Sequence, residues 1–319
     1  MSHTFASDAN EIRTAACLAR PAKSGISGGL ASGAGAIARG FVRFLKNLLG
    51  PSDALAARLD HLQAEVGQLS SAQRDHIDDA LLHAKLARQG DKIVARWNAQ
   101  MFSQNFEDSI IAEILARIGA GPKTFVEIGV ESGEECNTRL LLSQGWRGLW
   151  VEGAADHVAR ARNLFAADIR AGRLQIVQAM VTMENVQAIV DGAGLGELDF
   201  LSIDVDMNTS HLWRALTTRP RFACLEYNGN LPPNMEFETP YAPDAAWGQN
   251  AWYGASLKSL ERIGQDKQMS IVGCDLFGIN AFFVRDDLTG DHFLRPFTAE
   301  NHFEPMRLHQ VKRRGHKRP

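Results

Sequence analysis

The residues best placed by type and spacing to do chemistry are carboxylates that close short apolar runs. Glu127 lies within KTFVEIGV, Glu152 closes GLWVEG, Asp204 and Asp206 close DFLSIDVD, and Glu226 with Asn228 closes FACLEYN. Each run is short and rich in β-branched or aromatic residues, which reads as a buried strand. In a doubly wound sheet ligands sit beyond the carboxyl ends of the strands, so these acids converge on one cleft. The turn after the first run reads EIGVESGEE, in which Gly129 and Gly133 are spaced G-x-x-x-G where a dinucleotide fingerprint reads G-x-G-x-x-G. Glu131, Glu134 and Glu135 crowd the same turn. A pyrophosphate needs free N–H groups at a positive helix end, and carboxylates there compete for the donors and repel the phosphates.

The crowding that excludes a phosphate suits a ligand with a sulfonium, an ammonium and no phosphate, which describes S-adenosylmethionine. Glu152 stands 23 residues past Gly129, at the tip of the second strand, where a carboxylate can accept from both ribose hydroxyls. The plainer readings are a helix cap for Glu152 and a structural ion pair for Glu127. Asp204 and Asp206 on one strand, and Glu226 and Asn228 on the next, alternate with period two, which puts each pair on one side of its strand. Together they make an all-oxygen set suited to Mg²⁺ or Ca²⁺, and such a metal would lower the pKa of an alcohol and orient it for methyl transfer. Without a metal, Asp204 contacts the methionine amino group, Asp206 is the general base, and Glu226 and Asn228 bind substrate hydroxyls. His211 is a further base if its helix turns it inward and a packing residue if not.

Holding these groups together requires the alternation seen from residue 101 onward. Strands are expected at 123–130, 148–153, 174–181, 199–206 and 222–228, with helices at 103–119, 134–144, 155–171, 184–190, 209–217 and 253–263. Strands separated by helices in this way form right-handed crossovers and a parallel sheet covered on both faces. MSIVGCD and INAFFVRD are separated only by Leu276, Phe277 and Gly278, too short for a crossover, so they form an antiparallel hairpin. The expectation is a Rossmann-like, doubly wound, seven-stranded α/β sheet, five strands parallel, with an N-terminal helical appendage. Between the fifth strand and the next helix, the long stretch LPPNMEFETPYAPDAAWGQNAWYG reads as functional. Tyr241, Trp247, Trp252 and Tyr253 offer flat faces for a sugar ring, and Asn250 and Glu238 can read hydroxyls. Its plainer reading is a hydrophobic lid or dimer contact.

The segments FSQNFEDSII, FVEIGVESGEECNTRLLLSQGWRGLWVEG, FLSIDVD and CLEYN, with the terminal hairpin, resemble the class I S-adenosylmethionine-dependent methyltransferases, and within them the FkbM-like group, from about Phe102 to Leu288. The resemblance puts the E/D-x-G-x-x-x-G turn on Glu127, Gly129 and Gly133, the ribose acid on Glu152 and the fourth-strand acid on Asp204. It also implies adenine contacts after the third strand, at Ala179, Met180 and Val181, with Met180 a core residue flanking the base. Similar members carry Gly or Asp where Glu131 and Ser132 stand, and Gly where Met207 stands.

The rest of the chain bounds this reading. With 45% hydrophobic residues and net charge −3 over 319 residues, the composition excludes a collagen, a disordered polymer and a polytopic membrane protein. Cys17, Cys136, Cys224 and Cys274 form no CxxC pair, which fits a reducing compartment, and the acidic start reads as no secretory signal. The expected location is cytoplasmic, peripheral on the inner face of the membrane if lipid contacts form. Residues 1–25 read as disordered and 26–100 as a helical appendage. From Ile26 to Leu49 an amphipathic helix carries Arg39, Arg43 and Lys46 opposite an apolar face, suited either to anionic lipid or to packing. Leu55, Leu59, Leu62, Val66 and Leu69 have coiled-coil spacing for homo-oligomer contacts, although a helical hairpin using Ile77, Leu81 and Leu82 fits too. No internal repeat is evident. The methyltransferase domain spans 101–290 and a basic tail 291–319. The last fifteen residues hold six Lys and Arg, and the remainder has 28 Lys and Arg against 37 acids. The acidic body supplies no second basic patch, so no nucleic-acid partner is expected. The leading expectation is an O-methyltransferase of a saccharide or lipid-linked glycan. The alternatives are a catalytically inactive scaffold, favoured by Glu131 and Met207, and a methyltransferase of a small metabolite or protein side chain.

Overall fold

The computed structural model describes residues 79–307 apart from 98, 246, 247 and 249, together with isolated positions from 58 to 77. Apart from Arg58 these belong to a compact unit spanning residues 60–319. The disorder expected at 1–25, the Ile26 to Leu49 helix, most of the coiled-coil seam and the basic end after residue 307 lie outside the described residues. No described helix is long and apolar enough to cross a membrane.

Seven strands form one sheet in the order β3-β2-β1-β4-β5-β7-β6. β1 (Thr124–Ile128), β2 (Arg147–Glu152), β3 (Leu174–Gln178), β4 (Phe200–Ile203) and β5 (Phe222–Glu226) are mutually parallel, while β6 (Met269–Cys274) and β7 (Asn280–Arg285) make an antiparallel hairpin. β7 pairs antiparallel with β5 and so lies inside the sheet. The chain order reverses between β1 and β4, which makes their carboxyl ends the switch point where a ligand cleft forms. This is the Rossmann-like sheet expected from the strand spacing.

Each strand feeds two cores, because successive side chains leave opposite faces. Val126, Leu149, Val151, Leu201, Ala223, Leu225 and Phe283 pack on one face, against α6 (Thr209–Ala215) and α7 (Leu257–Asp266) through Trp213, Leu257 and Leu260. Phe125, Trp150, Phe200, Phe222, Cys224 and Phe282 pack on the other, against α1 (Glu107–Ile118) and α2 (Arg139–Ser143) through Ile110, Ile114, Leu141 and Leu142. Phe200 and Phe222 stack with centroids 4.5 Å apart. Full burial of each such ring contributes roughly 1.5–3 kcal/mol.

The packed domain extends beyond the expected limits at both ends, with Leu82, Val94 and Phe293 in the second core and Ala299 in the first. Leu82, from a helical stretch at residues 79–89, and Val94 are buried, and a side chain on Gly273 would collide with Val94. The burial expected of Ile77 and Leu81 is not seen to the same degree: Leu81 is half-buried and Ile77 is 47% exposed. The chain from 291 onward, expected as tail, packs as far as Arg307: Phe293 and Ala299 are buried, and Glu304 binds Lys85 at 2.7 Å with both side chains almost wholly covered.

Local boundaries differ from expectation for an identifiable reason. The helix expected from residue 134 starts at Arg139 because Glu127 takes the amides of Asn137 and Thr138 at 2.8 and 2.9 Å, which holds the intervening turn out of helical form. β4 and β5 end at Ile203 and Glu226, short of the expected 206 and 228, and Asp206 then adopts a left-handed φ of 49°.

Candidate active site

The carboxyl ends of β1, β4, β5 and the start of β7 line up polar residues on one face of the sheet. Ser202 and Cys224 face α2, since Asn137 Nδ2 donates to both, and period two turns Asp204 and Glu226 the same way. Glu127 enters this row from β1. Glu107, at the N-terminus of α1, enters through Asn280, whose Nδ2 donates to its Oε1 at 2.8 Å. The result is an acid row across the strand tips. Asp204 is exposed at the cleft floor but ringed by protein. That crowding, followed by the carboxylates of Asp206, Glu107, Glu127 and Glu131, pushes it up to about 7. Glu226 is also driven well above the ordinary glutamate range, first by burial and then by Asp204 and Asp206. Acids held this close disfavour each other's charged forms and favour a cation among them.

Glu127 is a brace rather than a ligand-binding acid. It is 3% exposed. Oε1 accepts from Asn137 N–H, and Oε2 from the N–H and hydroxyl of Thr138 at 2.9 and 2.5 Å; Thr138 in turn accepts from Trp150 Nε1 at 2.7 Å. The two amides that a phosphate would seek at this helix start are therefore already bound by a carboxylate of the chain. The glycines too serve the fold. With φ at 85°, Gly129 lets the Asp204 carbonyl pass where any Cβ would collide with it, and Gly133, at φ 74°, lies against the Trp150 ring.

Glu152 stands at the β2 tip as expected, half-buried, with Oε2 accepting from Glu131 N–H and Oε1 from Ala154 N–H, both at 2.8 Å. Each oxygen keeps a second lone pair for a ligand hydroxyl. Met180 is not a core residue. It is 60% exposed and lies over Gly153, at which a side chain would meet its sulfur. It thereby leaves an open apolar surface between the tips of β2 and β3.

Three expected site residues instead hold the long loop after β5. Asn228 is fully buried. Its Nδ2 donates to Ala251 O and Tyr253 O at 2.9 Å each, and its Oδ1 accepts from Asn230 N–H and Nδ2, which leaves nothing for a metal or substrate. Its alternation with Glu226 fails because β5 has ended. His211 is buried with Nε2 donating to Thr239 O at 2.7 Å, so it packs the loop and is not placed as a base. Tyr241 OH reaches Met183 N–H at 3.0 Å and Glu184 at 3.2 Å. Met207 is buried beneath the loop and its carbonyl accepts from Thr239 Oγ1, so the departure there is absorbed in packing. Glu238, expected to read hydroxyls, pairs with Arg214 at 2.6 Å.

The remaining loop residues divide. Tyr253 is buried, with its OH toward Met306 Sδ at 3.7 Å and its phenol pushed up by burial and by Glu226. Trp252 is 58% exposed, edge-on to Phe237 at 5.0 Å, and keeps an open face. Asn250 is exposed and accepts from Trp252 N–H at 2.8 Å. Trp247 lies outside the described residues.

The metal set expected from Asp204, Asp206, Glu226 and Asn228 does not form. The Asn228 oxygen is spent on Asn230, and the left-handed turn at Asp206 breaks the alternation that would have aligned it with Asp204. Among the described residues no group of three or more His, Cys, Asp or Glu is arranged for an ion. Sequence reasoning missed Glu107 and Asn280. The first lies within the quoted segment FSQNFEDSII, and the second opens the hairpin strand that had to pair beside the acids, so strand register was the signal. A cavity of about 380 Å³ between Trp97, Met101, Glu113 and Leu140 lies beside α1 and shares no residue with the strand tips.

No protein-family model matches the chain, and no curated protein matches it. Among solved structures the chain is similar to an O-methyltransferase from Bacillus cereus in complex with SAH, with 15% identity, 68% of this chain and 99% of that one covered, and a TM-score of 0.40. It is also similar to the SAH-bound N-terminal domain of EvdMO1, with 17% identity, coverage of 57% and 80%, and a TM-score of 0.37. A third is the glycopeptide N-methyltransferase MtfA complexed with SAH, with 14% identity, coverage of 65% and 96%, and a TM-score of 0.36. Likenesses this distant decide neither chemistry nor ligand, and the fold assignment stands on the strand order itself.

Proposed function

We propose that this chain is an S-adenosylmethionine-dependent methyltransferase that methylates a hydroxyl of a saccharide or lipid-linked glycan. One observation carries the cofactor reading: Glu152 is fixed at the β2 tip beside a turn whose helix-start amides are already bound by Glu127, and the neighbouring tip presents Asp204 and Asp206. That surroundings repel a phosphate and attract a cation. When bound, the cofactor supplies an electrophilic methyl group on sulfur. Glu152 would accept from the ribose hydroxyls, the Met180 and Gly153 surface would take the adenine, and Asp204 would orient the ammonium. Asp206 would take the proton of the acceptor hydroxyl, leaving its oxygen free to receive the methyl group that the bound cofactor would supply. The open face of Trp252 supports a sugar ring as acceptor.

Calorimetric titration with S-adenosylmethionine tests the cofactor reading. The wild type is expected to bind, and Glu152→Ala to bind at least about tenfold more weakly, the loss that follows from two hydrogen bonds. Absence of wild-type binding would overturn the enzyme reading, and equal binding by the variant would overturn the Glu152 assignment. The inactive-scaffold reading is favoured by one observation, the carboxylate of Glu131 on the turn itself, and the same titration decides it. Peripheral membrane contact and homo-oligomerisation through the N-terminal segments remain proposals, tested by vesicle co-sedimentation and by light scattering of the full chain.

A further inference from the structure

Two residues paired across neighbouring strands in the acid row each bury an acceptor oxygen without a donor. Glu226 ends β5 and pairs in register with Asn280, the first residue of β7. Directly opposed residues project from the same face with Cβ atoms about 5 Å apart. Glu226 Oε2 and Asn280 Oδ1 both lack a hydrogen-bond partner, and Asn280 is 3% exposed. The amide cannot turn round to relieve this. Its Nδ2 donates to Glu107 Oε1 at 2.8 Å, and Glu107 also receives Asn105 N–H and Nδ2 at 2.6 and 3.1 Å. A carboxylate with three donors has no use for an amide oxygen. The Oδ1 of Asn280 is thus committed to the side away from Glu107. One hydrogen between the two unsatisfied oxygens would satisfy both.

We propose that Glu226 is a neutral carboxylic acid whose Oε2–H donates to Asn280 Oδ1, with Glu107 and Asn280 as the positioning residues that hold it so. Donors then run one way, from Glu226 to Asn280 and from Asn280 to the Glu107 carboxylate. The groups facing Glu226 agree with this. Asp204 and Asp206 approach from beyond β4, and their carboxylates disfavour a further negative charge, with the Asp204 side chain in hydrogen-bonding contact with Glu226 and only the Asp206 backbone acting the other way. Tyr253 approaches from the loop as an un-ionised phenol, and Glu107 lies behind Asn280. Glu226 therefore gives the strand-tip cleft a hydrogen-bonding group and no charge, and the cleft's negative character belongs to Asp204 and Asp206. This inference does not depend on the cofactor assignment and is tested without any cofactor.

Infrared spectra of the full chain at about pH 7 are expected to contain a protonated-carboxyl stretch that is absent from Glu226→Gln. Asn280→Ala should keep that band but shift it, because the acceptor is lost. Stability against pH supplies a second readout. A carboxyl protonated in the fold stabilises most at low pH, and its contribution fades as the pH rises. Glu226→Gln, whose amide can still donate to Asn280, should match the wild type at about pH 5 and resist the alkaline loss better at about pH 9. Wild-type and Glu226→Gln spectra that coincide in the carboxyl region would overturn the proposal, as would an ordered water joining the two oxygens of an ionised Glu226. If Glu226→Gln fails to fold, the Asn280→Ala spectrum decides: a shifted band supports the assignment and an unshifted one overturns it.

Discussion

Glu131 holds φ at 49°, a region where a side chain costs roughly 1–2 kcal/mol. The strain is maintained because its N–H is bound by Glu152, and its carboxylate adds to the crowding that raises Asp204. Glycine would keep the N–H and remove both burdens. Glu131→Gly is therefore expected to stabilise the fold by about 1 kcal/mol, seen as a higher urea midpoint at unchanged slope; a lower midpoint would mean that the side chain makes a stabilising contact. Gly129 is the opposite case, since a left-handed φ and the passing Asp204 carbonyl leave no space for a Cβ. Gly129→Ala should lose about 3 kcal/mol or more, measured by the same denaturation.

At the scale of elements, the loop between β5 and α7 is fastened along its length. Asn228 binds it at Ala251 and Tyr253, Asn208 at Ala242, Thr239 at Met207 and Gly254, and His211 at Thr239. It comes to α7 through Ser256, which caps that helix by accepting from Ser259 N–H. A loop pinned this way presents Trp252 in a fixed place, as a binding platform requires. Asn228→Ala removes four hydrogen bonds and leaves buried carbonyls unpaired, so a loss of about 2–4 kcal/mol is expected. Limited proteolysis should then cut first between residues 231 and 255; first cleavage elsewhere would show that the other fasteners suffice.

Over the whole molecule, acids crowded or buried by the fold set the pH response. Asp204 and Asp275 are pushed up to about 7, Asp204 first by the protein that crowds it and Asp275 first by burial, and each then by neighbouring carboxylates, while Glu127 and Glu226 are raised chiefly by burial. A carboxyl with a raised folded pKa binds its proton more tightly in the fold. Its stabilisation is complete below the ordinary carboxylate range and is lost as the pH rises through about 7. Acids beside cations, such as the largely covered Glu113 with Arg117 and the exposed Asp287 with Arg285, are lowered and act in the opposite window, losing stability only as the pH falls below their usual range. Unfolding free energy should therefore be greater at about pH 5 than at about pH 8, and Asp275→Asn should flatten that slope. A curve that rises over this interval would contradict the acid row.

The sequence by itself determined the seven strands, their order of appearance, the closing hairpin and the convergence of acids at strand tips. Those follow from short-range periodicity, and a three-residue link between strands admits one geometry. What each acid does was decided by tertiary structure. Glu127 and Asn228 look like ligand residues along the chain, and they became a brace and a fastener because the path of the turn after β1 and of the loop after β5 brought Asn137, Thr138, Asn230, Ala251 and Tyr253 onto their lone pairs and protons. Glu107 and Asn280 carried no signal on their own, since their meeting depends on α1 crossing the sheet and on β7 lying beside β5. Hydrogen-bond partners more than a hundred residues apart are set by packing, and packing also fixed the charge of the cleft floor, because burial and neighbouring carboxylates act only once the strands are side by side.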